Sequence, residues 1–392
     1  MYKIQTLNKI SPTGLDIFPT GDYEIASEFS DPDSILVRSA SLHDLEFNKN
    51  LKSIARAGAG VNNIPIEKCT EKGIVVFNTP GANANAVKEL VISGMFMASR
   101  NIPDALRWID TLKGSGEEIP RIVEKNKSNF AGNELQNKKL GVIGLGAIGV
   151  MVANTAISLG MKVAGYDPFI SVDNAWGLAN DVEKSTSFDM LLAECDYLSI
   201  HVPLTDTTKG MINSDKFKMM KKNATLLNFA RGGLVNNLDL KDAIKNGIIK
   251  YYVTDFPDND LLDTEGIICI PHLGASTAEA EENCAVMAVN QIRNFLEKGN
   301  IKNSVNFPDC ELPVSSKNRL IIANRNIPNM VGQITAILAK KSINISDLLN
   351  KHKNDLAYNI IDVDQSIDTN DIEDLKKIDG ILSVRLLENL IS

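Results

Sequence analysis

Histidine is scarce in this chain, with four among 392 residues, so acid/base chemistry near neutral pH has few candidates. The five cysteines, Cys69, Cys195, Cys269, Cys284 and Cys310, are scattered, odd in number and without paired spacing. That excludes a disulfide framework and a cysteine zinc site. Basic residues are outnumbered, 41 Lys and Arg against 49 Asp and Glu, for a net charge of -8. The balance argues against a surface for nucleic acid or anionic membrane, but leaves room for a pocket that takes a small anion. Long apolar runs are missing too: "LVISGMFMA", starting at Leu90, is about half of the roughly 20 residues a membrane helix needs, and reads as a buried helix. The opening "MYKIQTLNKI" lacks the apolar core of a secretory signal, which points to the cytoplasm.

What is present is a long alternation of strands and helices. With 44% apolar residues, the chain is long enough for two or three domains with sizeable cores. Up to about Gly94, "SILVRSA", "LKSIARAG" and "GIVVFNTP" read as strands, followed by the helix "NANAVKELVISGMFMASR". A second series, "KLGVIGLG", "MKVAGYDP", "CDYLSIHVP", "ATLLNFARGG", "YYVTDFP" and "GIICIPHLG", predicts six strands of one open parallel sheet buried on both faces. Residues 304–318, with two prolines and no periodicity, read as a linker. Residues 319–392 then run β, α, β, β, α, β, the order of a small separate split-βαβ module.

"GLGAIG" sets Gly144, Gly146 and Gly149 in G-x-G-x-x-G spacing, between a strand and an amphipathic helix. The first glycine permits the turn, the second lets the backbone approach a pyrophosphate, and the third lets the helix pack on the strand. The free amides of the helix N-terminus face the phosphates. The next strand ends at Asp167, about twenty residues on, where a carboxylate takes the adenosine ribose hydroxyls. No Arg or Lys follows in "DPFISVDN" to hold a 2′-phosphate, so the expected cofactor is NAD.

Ligands of such sheets sit beyond the carboxyl ends of the strands. The residues there are His201 to Pro203, Asn228 to Gly233, Asp255 to Asp260 and Pro271 to Ser276. Hydride transfer from a hydroxy acid needs a cation for the carboxylate, an acid/base of near-neutral pKa, and an acid that orients it. Arg231, His272 and an acid of "VTDFPDND" supply one of each, with Asp255, Asp258 and Asp260 all eligible. Each also has an ordinary structural reading: Arg231 in a turn before two glycines, His272 ahead of a helix capped by Ser276 and Glu279, and acids serving as turn residues. His201 reads as a wall near the nicotinamide.

Taken together, "RAGAGVNNIPIEKCTEKGIVVFNTPGANANAV", "GVIGLGAIG", "GYDP", "NFARGGLV", "TDFP" and "PHLGAST" resemble the D-isomer-specific 2-hydroxyacid dehydrogenases over nearly the whole chain. The resemblance is fullest to the branch that oxidises D-3-phosphoglycerate with NAD at the start of L-serine biosynthesis. It implies two Rossmann-like doubly wound parallel-sheet domains with an interdomain cleft, plus a C-terminal βαββαβ ACT-like domain. Residues 1–101 and 286–303 would bind substrate, 102–285 NAD, and 319–392 regulate. It carries the catalytic Arg onto Arg231 and the acid/base His onto His272. The His-pairing acid falls on Asp260, an Asp where the family has Glu and one methylene shorter. Cofactor contacts fall on Ala147, Ile148, Val202, Phe229, Ala230, Asp255 and Gly274, and substrate contacts on Arg38, Arg56, Ala59 and Gly60. Asn326 and Asn344 match effector-binding asparagines for L-serine, although Asn324 stands where relatives commonly have His. A homodimer or homotetramer is the family's usual assembly.

Overall fold

The computed structural model describes residues 1–262 and 264–390. It divides into two compact units, Met1–Ala82 with Glu281–Ser392, and Asn83–Ala280.

The first unit begins with β1 (Tyr2–Leu7), β2 (Tyr23–Ala26), β3 (Ser34–Val37), β4 (Ser53–Arg56) and β5 (Val75–Phe77), a parallel sheet in the order β2-β1-β3-β4-β5. Strands β3 to β5 are buried at almost every position, as parallel strands covered on both faces must be. Strands β1 and β2 were not legible in the sequence. Only Ile4 of β1 is buried, so its apolar pattern is too sparse to stand out.

The second unit holds β6 (Lys139–Ile143), β7 (Lys162–Tyr166), β8 (Val182–Lys184), β9 (Tyr197–Ile200), β10 (Ala224–Asn228), β11 (Ile249–Thr254) and β12 (Ile267–Cys269). All pairings are parallel, in the order β12-β11-β10-β9-β6-β7-β8. The six expected strands are there, and β8 is an addition: three residues at the sheet edge, two of them exposed and charged. Strand order reverses between β6 and β9, the switch point at which doubly wound sheets bind ligands.

The helix Ala84–Ser99 packs within this second unit, on the helix Ala147–Ser158 and on β11. Its Val87, Val91, Met95 and Ala98 share a core with Val142, Leu227 and Val253. Gly94 brings it so close that a Cβ there would lie 2.9 Å from the Phe229 ring. The compact units therefore part at Ala82 and Ala280, whereas the family resemblance implies breaks at 101/102 and 285/286.

Returning to the first unit, β13 (Asn318–Arg325), β14 (Ile345–Lys353), β15 (Leu356–Val363) and β16 (Ile381–Leu387) form an antiparallel sheet in the order β14-β15-β13-β16. With the helices Met330–Lys340 and Thr369–Lys376 this is the expected βαββαβ. Successive residues of a strand face opposite sides, and both sides of β13 are buried. Leu320 and Ile322 pack under the two helices with Ile334, Leu338 and Leu375. Ile321 and Ala323 join Phe77, Ile292, Phe295 and Phe307 in the core of the N-terminal sheet and the helix Ala278–Lys298. The C-terminal sheet thus shares a core with the rest of its unit.

Polar ties reinforce that junction. The fully buried Arg319 forks onto Asp362, and donates to the carbonyls of Lys298 at 2.9 Å, Leu312 at 3.0 Å and Pro313 at 2.8 Å. Asp362 also accepts from the Ser315 amide at 3.0 Å and hydroxyl at 2.7 Å, so the linker is bonded along its length. Among the described residues no helix is long and apolar enough to cross a membrane.

Candidate active site

At the end of β6 the chain turns through Gly144, whose φ is +86° and where a Cβ would lie 2.6 Å from the His201 carbonyl oxygen. At Gly149 a Cβ would lie 1.9 Å from the Gly144 oxygen, so the third glycine is required for the helix to enter. A Cβ at Gly146 would meet nothing within 4 Å. The second glycine instead leaves its backbone open to a ligand, next to the free first-turn amides of Ala147 and Ile148. This cradle fits a dinucleotide pyrophosphate. Asp167 follows β7; its Oδ2 accepts from the Leu145 amide and its Oδ1 from the Phe169 amide, both at 2.8 Å, which anchors the glycine loop.

Val202 follows β9, beside His201. The His201 Nε2 is 2.8 Å from the Ser199 hydroxyl, its Nδ1 is buried without a partner, and burial pushes the imidazole down to about 4. A ring that stays neutral at physiological pH suits a wall better than a proton carrier.

Phe229, Ala230 and Arg231 form the turn after β10. Asn228, buried, holds that turn: its Nδ2 donates to the Arg231 carbonyl at 2.9 Å and the Tyr252 hydroxyl at 3.1 Å, while its Oδ1 accepts from the Ala230 amide at 3.2 Å. The guanidinium of Arg231 is exposed, with Nη1 on the Ala230 carbonyl at 2.7 Å. This role of Asn228 was missed in the sequence, although a polar residue ending the apolar run "ATLLN" was a signal for it.

Asp255 ends β11 and is 1% exposed. Its Oδ1 is buried without a hydrogen-bond partner. Burial raises its carboxyl above the ordinary range, opposed by the charge of His272, the amides of Asp255 and Gly274, and the charge of Arg231. Gly274 sits close enough that a Cβ would lie 3.5 Å from Asp255 Oδ2 and 3.2 Å from Val87. His272 follows β12; its ring is exposed and lies 4.6 Å from the Phe256 ring.

The loop after Asp255 answers the question of the three acids. Asp258 is the turn residue: its Oδ1 accepts from the amides of Asp260 at 2.9 Å and Leu261 at 3.1 Å, and its Oδ2 from Asn237 at 2.7 Å. That turn points Asp260 toward Lys241, 3.8 Å away, with 63% of its side chain exposed. The expected pairing of Asp260 with His272 is therefore not formed here. The acid of this stretch on which the charge of His272 acts is Asp255.

In the first unit, Arg38 follows β3 and bonds Glu281 at 2.6 Å, a partner 243 residues away that the sequence did not disclose. Arg56 ends β4; its Nε donates to the Arg38 carbonyl at 2.9 Å and its Nη1 to the Gly60 carbonyl, while Asn78 holds the Ala59 carbonyl at 2.6 Å. Asn326 and Asn344 are not brought together within one chain. Arg325 stands opposite Leu356 and Ile345 opposite Val363, so the two asparagines flank opposite ends of the sheet. Among the described residues no cluster of His, Cys, Asp or Glu could hold a metal. All five cysteines are free, and burial pushes the thiols of Cys69, Cys195 and Cys310 up to about 12.

A doubly wound sheet that reverses at this glycine cradle, with an acid after its second strand, defines a dinucleotide-binding protein. Residues 92–274 match the NAD binding domain of the D-isomer specific 2-hydroxyacid dehydrogenases. The chain is 36% identical to D-3-phosphoglycerate dehydrogenase of Methanocaldococcus jannaschii over 85% of its own length and 63% of the relative's. It is 30% identical to D-3-phosphoglycerate dehydrogenase of Haemophilus influenzae over 98% and 94%. It is also similar to the crystal structure of NAD+-bound 3-phosphoglycerate dehydrogenase of Entamoeba histolytica, with a TM-score of 0.60, 28% identity, and coverage of 78% of this chain and 98% of that one. Several relatives are longer, and the chain spans 54% to 63% of the length of the M. jannaschii protein and its Archaeoglobus fulgidus counterpart. The chain belongs to the D-isomer specific 2-hydroxyacid dehydrogenase family.

Proposed function

We propose that this chain oxidises D-3-phosphoglycerate to 3-phosphohydroxypyruvate with NAD, the opening step of L-serine biosynthesis, in the cytoplasm. The observation that carries the reading is the placement of Arg231, Asp255 and His272 after neighbouring strands β10, β11 and β12, on the same sheet edge as the glycine cradle. The names of the relatives support the choice of substrate.

NAD, when bound, supplies the acceptor for the two electrons that leave C2. The cradle of Gly144, Gly146, Ala147, Ile148 and Gly149 would hold its pyrophosphate and Asp167 its ribose. Val202, Phe229, Ala230, Asp255 and Gly274 would line the remainder. Arg231 binds the substrate carboxylate and C2 oxygen as a planar fork. His272 takes the C2 hydroxyl proton, general base action worth about 10²–10⁴ in rate. The negative charge of Asp255 favours the imidazolium that results. Asp260 takes part only where the loop swings it away from Lys241. Arg38 and Arg56 are assigned to the substrate phosphate, with the amides of Ala59 and Gly60 on its carboxylate. L-serine is proposed as an effector; a site that uses both Asn326 and Asn344 requires two copies of the C-terminal sheet, in keeping with a homodimer or homotetramer.

The test is NADH formation with D-3-phosphoglycerate against D-lactate and hydroxypyruvate reduction, with and without L-serine. A preference for the phosphorylated substrate of about a hundredfold or more is expected, roughly two tenfold steps of 1.4 kcal/mol in binding. Equal rates with D-lactate would overturn the substrate assignment, and His272→Gln with wild-type turnover would overturn the mechanism.

A further inference from the structure

We propose that the junction between the N-terminal sheet and the C-terminal sheet is a binding site for a small polyanion carrying two or more phosphate or carboxylate groups. A cavity of about 300 Å³ lies there, lined by Lys49, Lys52, Lys72, Lys376 and Arg385 and by no acidic residue. Such a concentration of positive charge is conspicuous in a chain whose acids outnumber its bases, 49 to 41.

The cations are only partly neutralised. Lys52 pairs with Asp33, and Lys376 lies 2.8 Å from Glu373. Among the described residues, Lys49, Lys72 and Arg385 form no ion pair, although the charge of Asp33 acts on Arg385 as well as on Lys52; Lys72 donates to the Phe47 carbonyl at 3.1 Å. Arg385 is the built element of the site. Its guanidinium stacks 4.5 Å over the Phe295 ring, and its Nη2 donates to the carbonyls of Phe295 at 3.4 Å and Leu296 at 3.1 Å. Its Nη1 is buried without a partner, and burial lowers its pKa from the ordinary value. A guanidinium held in place by a ring and two carbonyls keeps its positive charge fixed at the cavity wall, where an incoming oxyanion gains from it.

The two walls come from different parts of the unit. Lys49, Lys52 and Lys72 flank β4 and β5, whereas Lys376 and Arg385 belong to the C-terminal helix and β16. Gly73, at φ +70°, lets the turn before β5 lie against Ser383, where even a Cβ would be 3.3 Å from the hydroxyl. The space holds many waters and so has room for pyrophosphate or a tricarboxylate. A polyanion seated there bridges the walls and strengthens the docking of the C-terminal sheet.

Titration calorimetry of the full chain with pyrophosphate and with citrate tests this. Saturable binding is expected, with Lys49→Gln and Lys376→Gln each weakening it roughly fivefold, the effect of about 1 kcal/mol of partly screened ion pairing. Both side chains are exposed, so thermal unfolding of these unliganded variants should match the wild type and separate lost binding from lost folding. Arg385→Lys, which keeps the charge but loses the fork, should weaken binding at least as much. Binding should persist in Arg38→Gln, which separates this site from the proposed substrate phosphate cations. No heat up to about 10 mM of either anion, or binding abolished by Arg38→Gln and untouched by Lys49→Gln, overturns the proposal.

Discussion

Asp255→Asn is expected to make the protein more stable and less active. In the wild type the carboxyl is 1% exposed, one of its oxygens has no hydrogen-bond partner, and burial raises its pKa. An unsatisfied buried polar group costs about 1–3 kcal/mol, and more when charged. Asn is isosteric, keeps an oxygen for the Gly274 amide, and removes the charge, so a gain of about 1 kcal/mol at pH 7 is a conservative figure. For a unit of about 200 residues this corresponds to a rise in Tm of about 2–4 °C. The pH dependence has a definite sign. A carboxyl whose pKa is raised on folding does no harm below its unfolded pKa, near 3.9, and costs stability as pH climbs through its folded value. The gain from Asp255→Asn should therefore be full at pH 7–8 and fade toward pH 4. Differential scanning fluorimetry at pH 4, 7 and 8 measures it, beside NADH formation, where kcat/KM should fall by about tenfold or more as the negative charge near His272 is lost. A Tm lowered by more than about 2 °C at pH 7 would show the carboxylate to be a structural anchor and refute the reasoning.

Asp260→Asn should change kcat/KM by less than about fivefold, because its side chain is mostly exposed and faces Lys241; a hundredfold loss would restore it as the partner of His272. Asn228→Ala, by freeing the turn under Arg231, should raise KM for the hydroxy acid by about tenfold while NADH affinity, read by fluorescence, stays near wild type; equal losses in both would point to general unfolding of the loop. Asp362→Ala should cost about 3–5 kcal/mol by stranding the buried Arg319, and Arg319→Met with Asp362→Leu should recover most of it, as judged by urea unfolding. Burial raises the Asp362 carboxyl, but its bonds to Arg319 and Ser315 outweigh that and hold it below the usual range. Its contribution should thus be present above about pH 4 and disappear as pH falls through the lower folded value; an acid-unfolding curve for Asp362→Ala that overlays the wild type would contradict this.

Much of this architecture could be read from the chain because fully buried parallel strands are continuous apolar runs, and the glycine spacing follows from contacts that exclude any side chain. The structure explains Gly144 and Gly149 by clashes of 2.6 Å and 1.9 Å, and Gly146 by open space. What failed to show is equally physical. Strand β1 has one buried residue and β8 is short and charged, so neither carries a periodic signal. Spacing could not say which acid of "VTDFPDND" faces His272, since that depends on Asp258 capping its own turn and on the Gly274 amide approaching Asp255. The Arg38–Glu281 pair and the placement of the helix Ala84–Ser99 depend on long-range packing, which local pattern does not encode.

The doubly covered strand β13 means that the C-terminal sheet is not a detachable cassette. Truncating the chain in the linker would strip the cover from Phe77, Phe295 and Phe307 and leave their apolar surface to water. Transplanting residues 319–392 onto another protein would likewise carry Ile321, Ala323 and Tyr358 away as a bare face. A displacement of this sheet is therefore felt by the N-terminal sheet as strain passed through solid packing.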